Sequence, residues 1–350
     1  MDKKLNLESE EIYVGVDIHI KTWYVTVRTE EVELFKGAIE GTWEKLKNIL
    51  EKYKGKKTIV VYEAGYFGYS LHDSIVKWGG ECIVTPPSLI PQESGNRVKT
   101  DKKDSRKLAH YLAKGMLKKI YVPTPEERGH RQVIRRRRQL IGDRVRVQNR
   151  IKAELRFFGI DIGKPTGPWS KVYICNLKRV NLGNNWGQES YNRLIEEYEF
   201  LSSQVDKQTK LLKELSQTQL YKERVEILES IPGIGIIAAM EILLELQDVS
   251  RFRTAEQLAA YVGLTPSQHS SSDKVRMGRI TGTGKNNLRG ILVEAAWILI
   301  NKDEAMNKKY QRIKLRSGGK RAIVAIARIL VIRARRILLD EKPYELNRAA

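Results

Sequence analysis

Cysteine is nearly absent: Cys82 and Cys175 are the only two in 350 residues. That excludes a disulfide scaffold and a cysteine-rich zinc site. No run of eighteen apolar residues occurs, so no transmembrane span is expected. The first residues, MDKKLNLESEE, are charged and lack the apolar centre of an export signal, so the expected compartment is the cytoplasm. Acidic residues are outnumbered, 42 Asp+Glu against 63 Lys+Arg, for a net charge of +21. Hydrophobic residues make up 41%, enough for real cores, which excludes wholesale disorder. The length suggests about two domains, and the charge points to a polyanionic partner, nucleic acid first.

The first 120 or so residues alternate strand-like and helix-like stretches. Ile12–Val16, Trp23–Arg28 and Val32–Ala38 read as a meander of strands. Thr58–Tyr62 (TIVVY) has the β-branched, apolar character of a buried strand, and Glu81–Thr85 is another short one. Helices are predicted at Trp43–Tyr53, Ser70–Trp78 and Asp104–Lys118. This is an α/β domain over residues 1–125. A connector follows over 126–224, with a long basic helix at 128–156 and a second long helix at about 189–220. In the latter, Leu194, Tyr198, Leu201, Val205, Gln208, Leu212 and Leu215 form a heptad seam, read as a coiled-coil or oligomer contact in preference to packing within its own domain. The remainder, 225–350, is mainly helical.

Four carboxylates stand out in the first domain. Asp17 and Glu63 each follow an apolar run of five residues, where a charge is costly unless it binds something. Asp101 and Asp104 lie three residues apart at a helix start, on one face. Acids at strand ends and a helix N-terminus can hold two divalent cations, and oxygen ligands suit Mg²⁺ or Mn²⁺. Read singly, each is an ordinary strand-end or capping acid. The order Asp, Glu, DxxD on an α/β scaffold resembles the RuvC-like branch of the RNase H fold.

The last domain offers ESIPGIG at Glu229–Gly235, which resembles a helix-hairpin-helix turn whose Gly233 and Gly235 admit a phosphate to backbone N–H groups. Downstream, Ser270, Ser271 and Ser272 sit among Lys274, Arg276, Arg279, Lys285 and Arg289. From composition this is a polar phosphate-binding loop, with a serine nucleophile as the sharper alternative. The positive charge is concentrated. Residues 128–156, including Arg135, Arg136, Arg137 and Arg138, hold eleven basic and two acidic residues. Residues 274–289 hold five basic and no acidic ones, and 307–336, including Lys320 and Arg321, eleven basic and no acidic ones. These three regions are the expected nucleic-acid contacts.

Together GVDIH, VYEAGYFGYSLHD, KTDKKDSRKLA, LESIPGIG, FRTAEQLAAYVGLTP and QHSSSDKVRMGRITGTGKNNLR closely resemble, in order, the DEDD transposases of the insertion sequence 110 family, over about residues 11–340. The resemblance implies a RuvC-like domain, a coiled-coil connector and a C-terminal transposase domain with a helix-hairpin-helix-like element. It implies that Asp17, Glu63, Asp101 and Asp104 are the metal-binding acids. Counted from GLTP, Ser271 matches the family's nucleophilic serine. The family often has serine-glycine there and this chain has SSSD, so Ser270 and Ser272 stay open as alternatives. It further implies double-stranded DNA substrates at element ends and target and a bridge RNA guide; a homo-oligomer (dimer or tetramer), through the heptad seam, and association with the nucleoid are expected beside it. Two other readings stand beside it: a metal-dependent junction nuclease with water as nucleophile, and a non-enzymatic nucleic-acid-binding protein.

Overall fold

In a computed structural model, which describes residues 7–91, 101–163, 165, 167, 169–271 and 274–346, the chain divides into two compact units, Met1–Val122 and Pro123–Ala350. The side chains of residues 101–103, 269–271 and 274–277 lie outside that description.

The first unit is a mixed sheet with helices on both faces. Its elements are β1 (Glu11–Ile18), β2 (Thr22–Arg28), β3 (Glu33–Glu40), α1 (Trp43–Lys52), β4 (Lys57–Glu63), α2 (Ser70–Trp78), β5 (Glu81–Thr85) and α3 (Asp101–Ala113). Strand order is β3-β2-β1-β4-β5. β1, β2 and β3 form an antiparallel meander, while β4 and β5 run parallel to β1 and to each other. Side chains alternate across the sheet. Ile12, Val14, Val16, Val60, Tyr62 and Val84 pack with Leu46 and Leu50 of α1 and Leu71 and Ile75 of α2. Tyr13, Ile59, Val61 and Ile83 pack on the other side with Leu108, Tyr111 and Leu112 of α3. β4, apolar on both faces, lies inside the sheet between β1 and β5.

The second unit is mostly helical: α4 (Pro125–Phe157), α5 (Lys171–Lys178), α6 (Asn185–Ser216), α7 (Lys222–Glu229), α8 (Ile236–Leu246), α9 (Ala255–Val262), β6 (Pro266–Ser271), β7 (Lys274–Ile280), α10 (Asn286–Lys302), α11 (Glu304–Ser317) and α12 (Gly319–Asp340). A capping box fixes the start of α4: Thr124 Oγ1 accepts from the Glu127 amide at 3.2 Å, and Glu127 accepts from the Thr124 amide at 2.8 Å. α4 ends at Phe157, two residues before Gly159, whose φ is +67°. α8, apolar nearly all round, lies in a core with α10 and α12.

Three expectations change. The serine segment is a two-stranded antiparallel hairpin, β6–β7, where a loop was expected. Helix α3 begins at Asp101 and stops at Ala113, so both acids of the DxxD pair lie within it. The α6 seam is covered by α4 of the same chain. Tyr198, Leu201 and Val205 share a core with Leu140, Val147 and Ile151, and polar Gln208 donates to Val133 O at 3.2 Å. Apolar rows on both helices satisfy each other, so this stripe is buried without a second protomer. Among the described residues, no helix is long and apolar enough to cross a membrane.

Candidate active site

Asp17 lies one residue before the end of β1 and Glu63 ends β4. These strands are parallel neighbours, with Val16 opposite Tyr62. By alternation Asp17 shares a face with Tyr13, and Glu63 with Ile59 and Val61, which is the face that α3 covers. Close approach brings α3 down onto β1. A Cβ on Gly15 would lie 2.5 Å from Ala109 N and closer still to Ser105 O. The same seam is tied by Thr26 Oγ1 and Ser105 Oγ at 3.1 Å, both buried. Asp104, next to Ser105, is half-buried; Asp101 opens the helix, with its side chain outside the described residues.

Sequence reasoning missed two neighbours of these acids. His19 Nε2 lies 3.2 Å from Asp17 Oδ2; the signal for it was its place two residues on, in GVDIH. Thr85 ends β5 in register with Glu63, fully buried, and its Oγ1 has no hydrogen-bond partner among the described residues. Among those residues no three His, Cys, Asp or Glu side chains converge closely enough to hold an ion. The donor chemistry nonetheless fits a hard divalent cation: carboxylate oxygens on one sheet face, with an orphaned buried hydroxyl beside one of them.

The arginines of α4 divide into two kinds. Arg136 is exposed. Arg135 reaches Glu245 at 3.4 Å, Arg138 pairs with Glu241 and with Glu245, and Arg137 donates to Thr209 Oγ1 at 2.8 Å. Arg131, 8% exposed, donates to Leu244 O at 3.0 Å. Lys285 lies 3.5 Å from Glu245. Of the four arginines expected to meet nucleic acid, three therefore hold α4 to its own unit. Glu241 and Glu245, 2% and 3% exposed, sit one turn apart on α8. Burial pushes the Glu241 carboxyl up, against the pull of Arg138. Burial acts on Glu245 in the same sense, but Lys285 and Arg135 outweigh it and hold that carboxyl below its ordinary value.

In the Gly hairpin between α7 and α8, Gly233 has φ +93°, and a Cβ there would stand 2.6 Å from Ala295 O. This glycine is needed for close packing against α10, a role distinct from admitting a phosphate. Gly235 is the N-cap of α8 and faces open space.

Ser271 is the last residue of β6, paired with Lys274 across the hairpin, and Ser270 pairs with Val275. The side chains of Ser270, Ser271, Lys274 and Arg276, and the whole of Ser272, lie outside the described residues. The root of the hairpin is tightly closed. Thr281 N donates to Thr265 O at 3.0 Å and Lys285 N to Tyr261 O at 3.2 Å. Gly263 and Gly284, at φ +80° and +96°, meet so closely that a Cβ on Gly284 would lie 2.6 Å from Gly263 N. Arg289 donates to Gly263 O at 3.2 Å, so it braces this junction. Arg279 is exposed on β7, and Lys320 and Arg321 are exposed at the start of α12. Further along that helix, Arg333 pairs with Asp303, and Arg335 donates to Val249 O at 3.3 Å. The third basic stretch is thus partly turned inward.

Two family models match separate stretches of the chain. A DEDD transposase model of the IS110 type matches residues 14–164, and a model described as transposase of the IS116/IS110/IS902 family matches residues 225–311. A Sinorhizobium fredii protein named as a transposase, y4qE, is 28% identical over 89% of this chain and 78% of its own length. The transposase for insertion sequence element IS1533 of Leptospira borgpetersenii is 27% identical over 68% of this chain and 70% of its own. The pilin gene-inverting protein of Moraxella lacunata is 24% identical over 95% of this chain and 97% of its own.

Proposed function

We propose that the protein is a transposase of the IS110 type, as the two models matched at residues 14–164 and 225–311 support, and that it mobilises its own insertion sequence by serine-dependent strand exchange under the direction of a bridge RNA. The observation that carries this reading is the placement of Asp17 and Glu63 just past the last paired residues of parallel neighbours β1 and β4, on the α3 face, in a chain that also carries the serine segment. Asp17, Glu63, Asp101 and Asp104 would hold Mg²⁺ or Mn²⁺. When bound, such a cation supplies Lewis-acid polarisation of a phosphodiester.

In this reading Ser271 Oγ forms a bond to the scissile phosphorus as the bond to the leaving deoxyribose oxygen breaks. The serine proton is lost to solvent and the leaving oxygen gains one, so the step is balanced. A phosphoserine ester conserves the bond until a second DNA hydroxyl attacks it and restores the serine. Lys274, Arg276 and Arg279 share β7 and supply positive charge to the phosphate region. Exposed Arg136, Lys320 and Arg321 extend the contact to backbone phosphates. The relative named for pilin gene inversion supports recombination as the outcome. We place the active form as a homo-oligomer.

The test is Ser271→Ala in the full chain with element-end DNA. Covalent protein–DNA adducts should vanish while nucleic-acid binding stays nearly intact. Adducts that persist would move the nucleophile, Ser270 and Ser272 being next. Mg²⁺-dependent cleavage with no adduct in the unsubstituted protein would favour water as nucleophile. Sequencing of co-purified RNA tests the guide.

A further inference from the structure

The end of β5 carries a polar group that the fold leaves without employment. Thr85 is fully buried and its Oγ1 has no hydrogen-bond partner among the described residues. A buried hydroxyl without a partner is costly and uncommon. Thr85 also occupies a particular position. It stands directly opposite Glu63 in the parallel register of β4 and β5, on neighbouring strands about 4.8 Å apart. Val61 and Ile83, the preceding pair on that face, both pack with α3, so Glu63 and Thr85 share the α3 face with Asp17. The Thr85 carbonyl already accepts from Ala64 N at 2.8 Å, which ties it to the residue after Glu63.

We propose that the Thr85 hydroxyl is a positioning group for the carboxylate site: when a divalent cation binds, it donates to the Glu63 carboxylate and fixes the orientation in which that carboxylate ligates. Hydrogen bonds to ligating carboxylates set their direction and basicity, and their loss weakens metal binding about 10- to 100-fold. Thr85 is the donor whose strand register delivers it to Glu63, and a carboxylate's two oxygens can accept from a hydroxyl and ligate a cation together. The inference rests on the reading of Asp17, Glu63, Asp101 and Asp104 as metal-binding acids.

The experiment is Mn²⁺ titration of the full-length protein by calorimetry, with thermal melting of each variant. Thr85→Val keeps the β-branched shape and removes the hydroxyl; Thr85→Ser keeps the hydroxyl and removes the methyl. Thr85→Val should weaken Mn²⁺ binding by about tenfold or more, with melting unchanged or raised because an unpartnered buried hydroxyl is gone. Thr85→Ser should bind Mn²⁺ within about threefold of the unsubstituted protein. Equal weakening by both substitutions would assign the effect to packing and overturn the proposal, as would Thr85→Val binding normally while Glu63→Gln loses the ion. Glu63→Gln binding Mn²⁺ normally would instead overturn the metal-site reading beneath it.

Discussion

Gly15 of β1 lies so close beneath Ser105 of α3 that a methyl group on its Cα would overlap the Ser105 carbonyl. The residue that follows Asp104 is thus held against the residue two before Asp17. Gly15→Ala should lift α3 and cost about 1–3 kcal/mol of stability, the usual price of overpacking, read by urea unfolding. Mn²⁺ binding should weaken along with it, because the helix carrying Asp101 and Asp104 moves. Unchanged stability would mean that the sheet yields instead.

Glu241 and Glu245 are predicted to respond oppositely to loss of charge. The carboxyl of Glu245 is held below its ordinary value, so it contributes stability above the usual carboxylate range and loses that contribution as pH falls through its folded value. Glu245→Gln should cost about 2 kcal/mol at neutral pH, less than for a wholly buried pair because Arg135, Arg138 and Lys285 reach solvent. That deficit should shrink in acid. Glu241 is raised by burial and gains relative stability as pH falls. Glu241→Gln should therefore be neutral or stabilising near neutrality. Melting curves of the two variants across pH decide both statements.

Neighbouring arginines on α4 separate binding from folding. Arg136→Ala should lower nucleic-acid affinity and reduce the slope of log affinity against log salt by about 0.9 for duplex DNA, with melting unchanged. Arg138→Ala should lower melting instead, since it strips a cation from two buried carboxylates. Binding titrations over a salt series, with melting of both variants, distinguish them.

The two thiols should differ in reactivity. Burial, with a smaller contribution from Asp73, pushes the Cys82 thiol up to about 12, whereas Cys175 is exposed. Iodoacetamide at about pH 8 should add one carbamidomethyl group to the folded protein, at Cys175, as intact-mass measurement would report. A second adduct before unfolding would contradict the burial of β5.

Much of the first unit was legible because local pattern and tertiary demand agree there. Ser70–Trp78 and Glu81–Thr85 are observed at the bounds their periodicity suggested, and TIVVY reads as a central strand from its composition. The acids drew notice because a carboxylate after five apolar residues is conspicuous. The β6–β7 hairpin was not legible: PSQHSS is polar and carries no alternating apolar face. The inward turn of Arg135, Arg137 and Arg138 was hidden as well, since their partners Glu241, Glu245 and Thr209 lie 72 to 110 residues away and resemble ordinary helix-surface residues. Thr85 acquires meaning only once the strand order sets β5 beside β4.

Helix α4 serves two cores at once: Ile134 is buried with α8, while Leu140, Val147, Ile151 and Leu155 are buried with α6. Deleting one residue between Ile134 and Leu140 would rotate one half of the rod against the other by about 100°. Neither apolar face would then meet its partner. The length of this helix is accordingly quantised: insertions or deletions are tolerable only near whole heptads, about seven residues at a time. Homologous helices that differ in length here should differ by such steps, with compensating changes in α6.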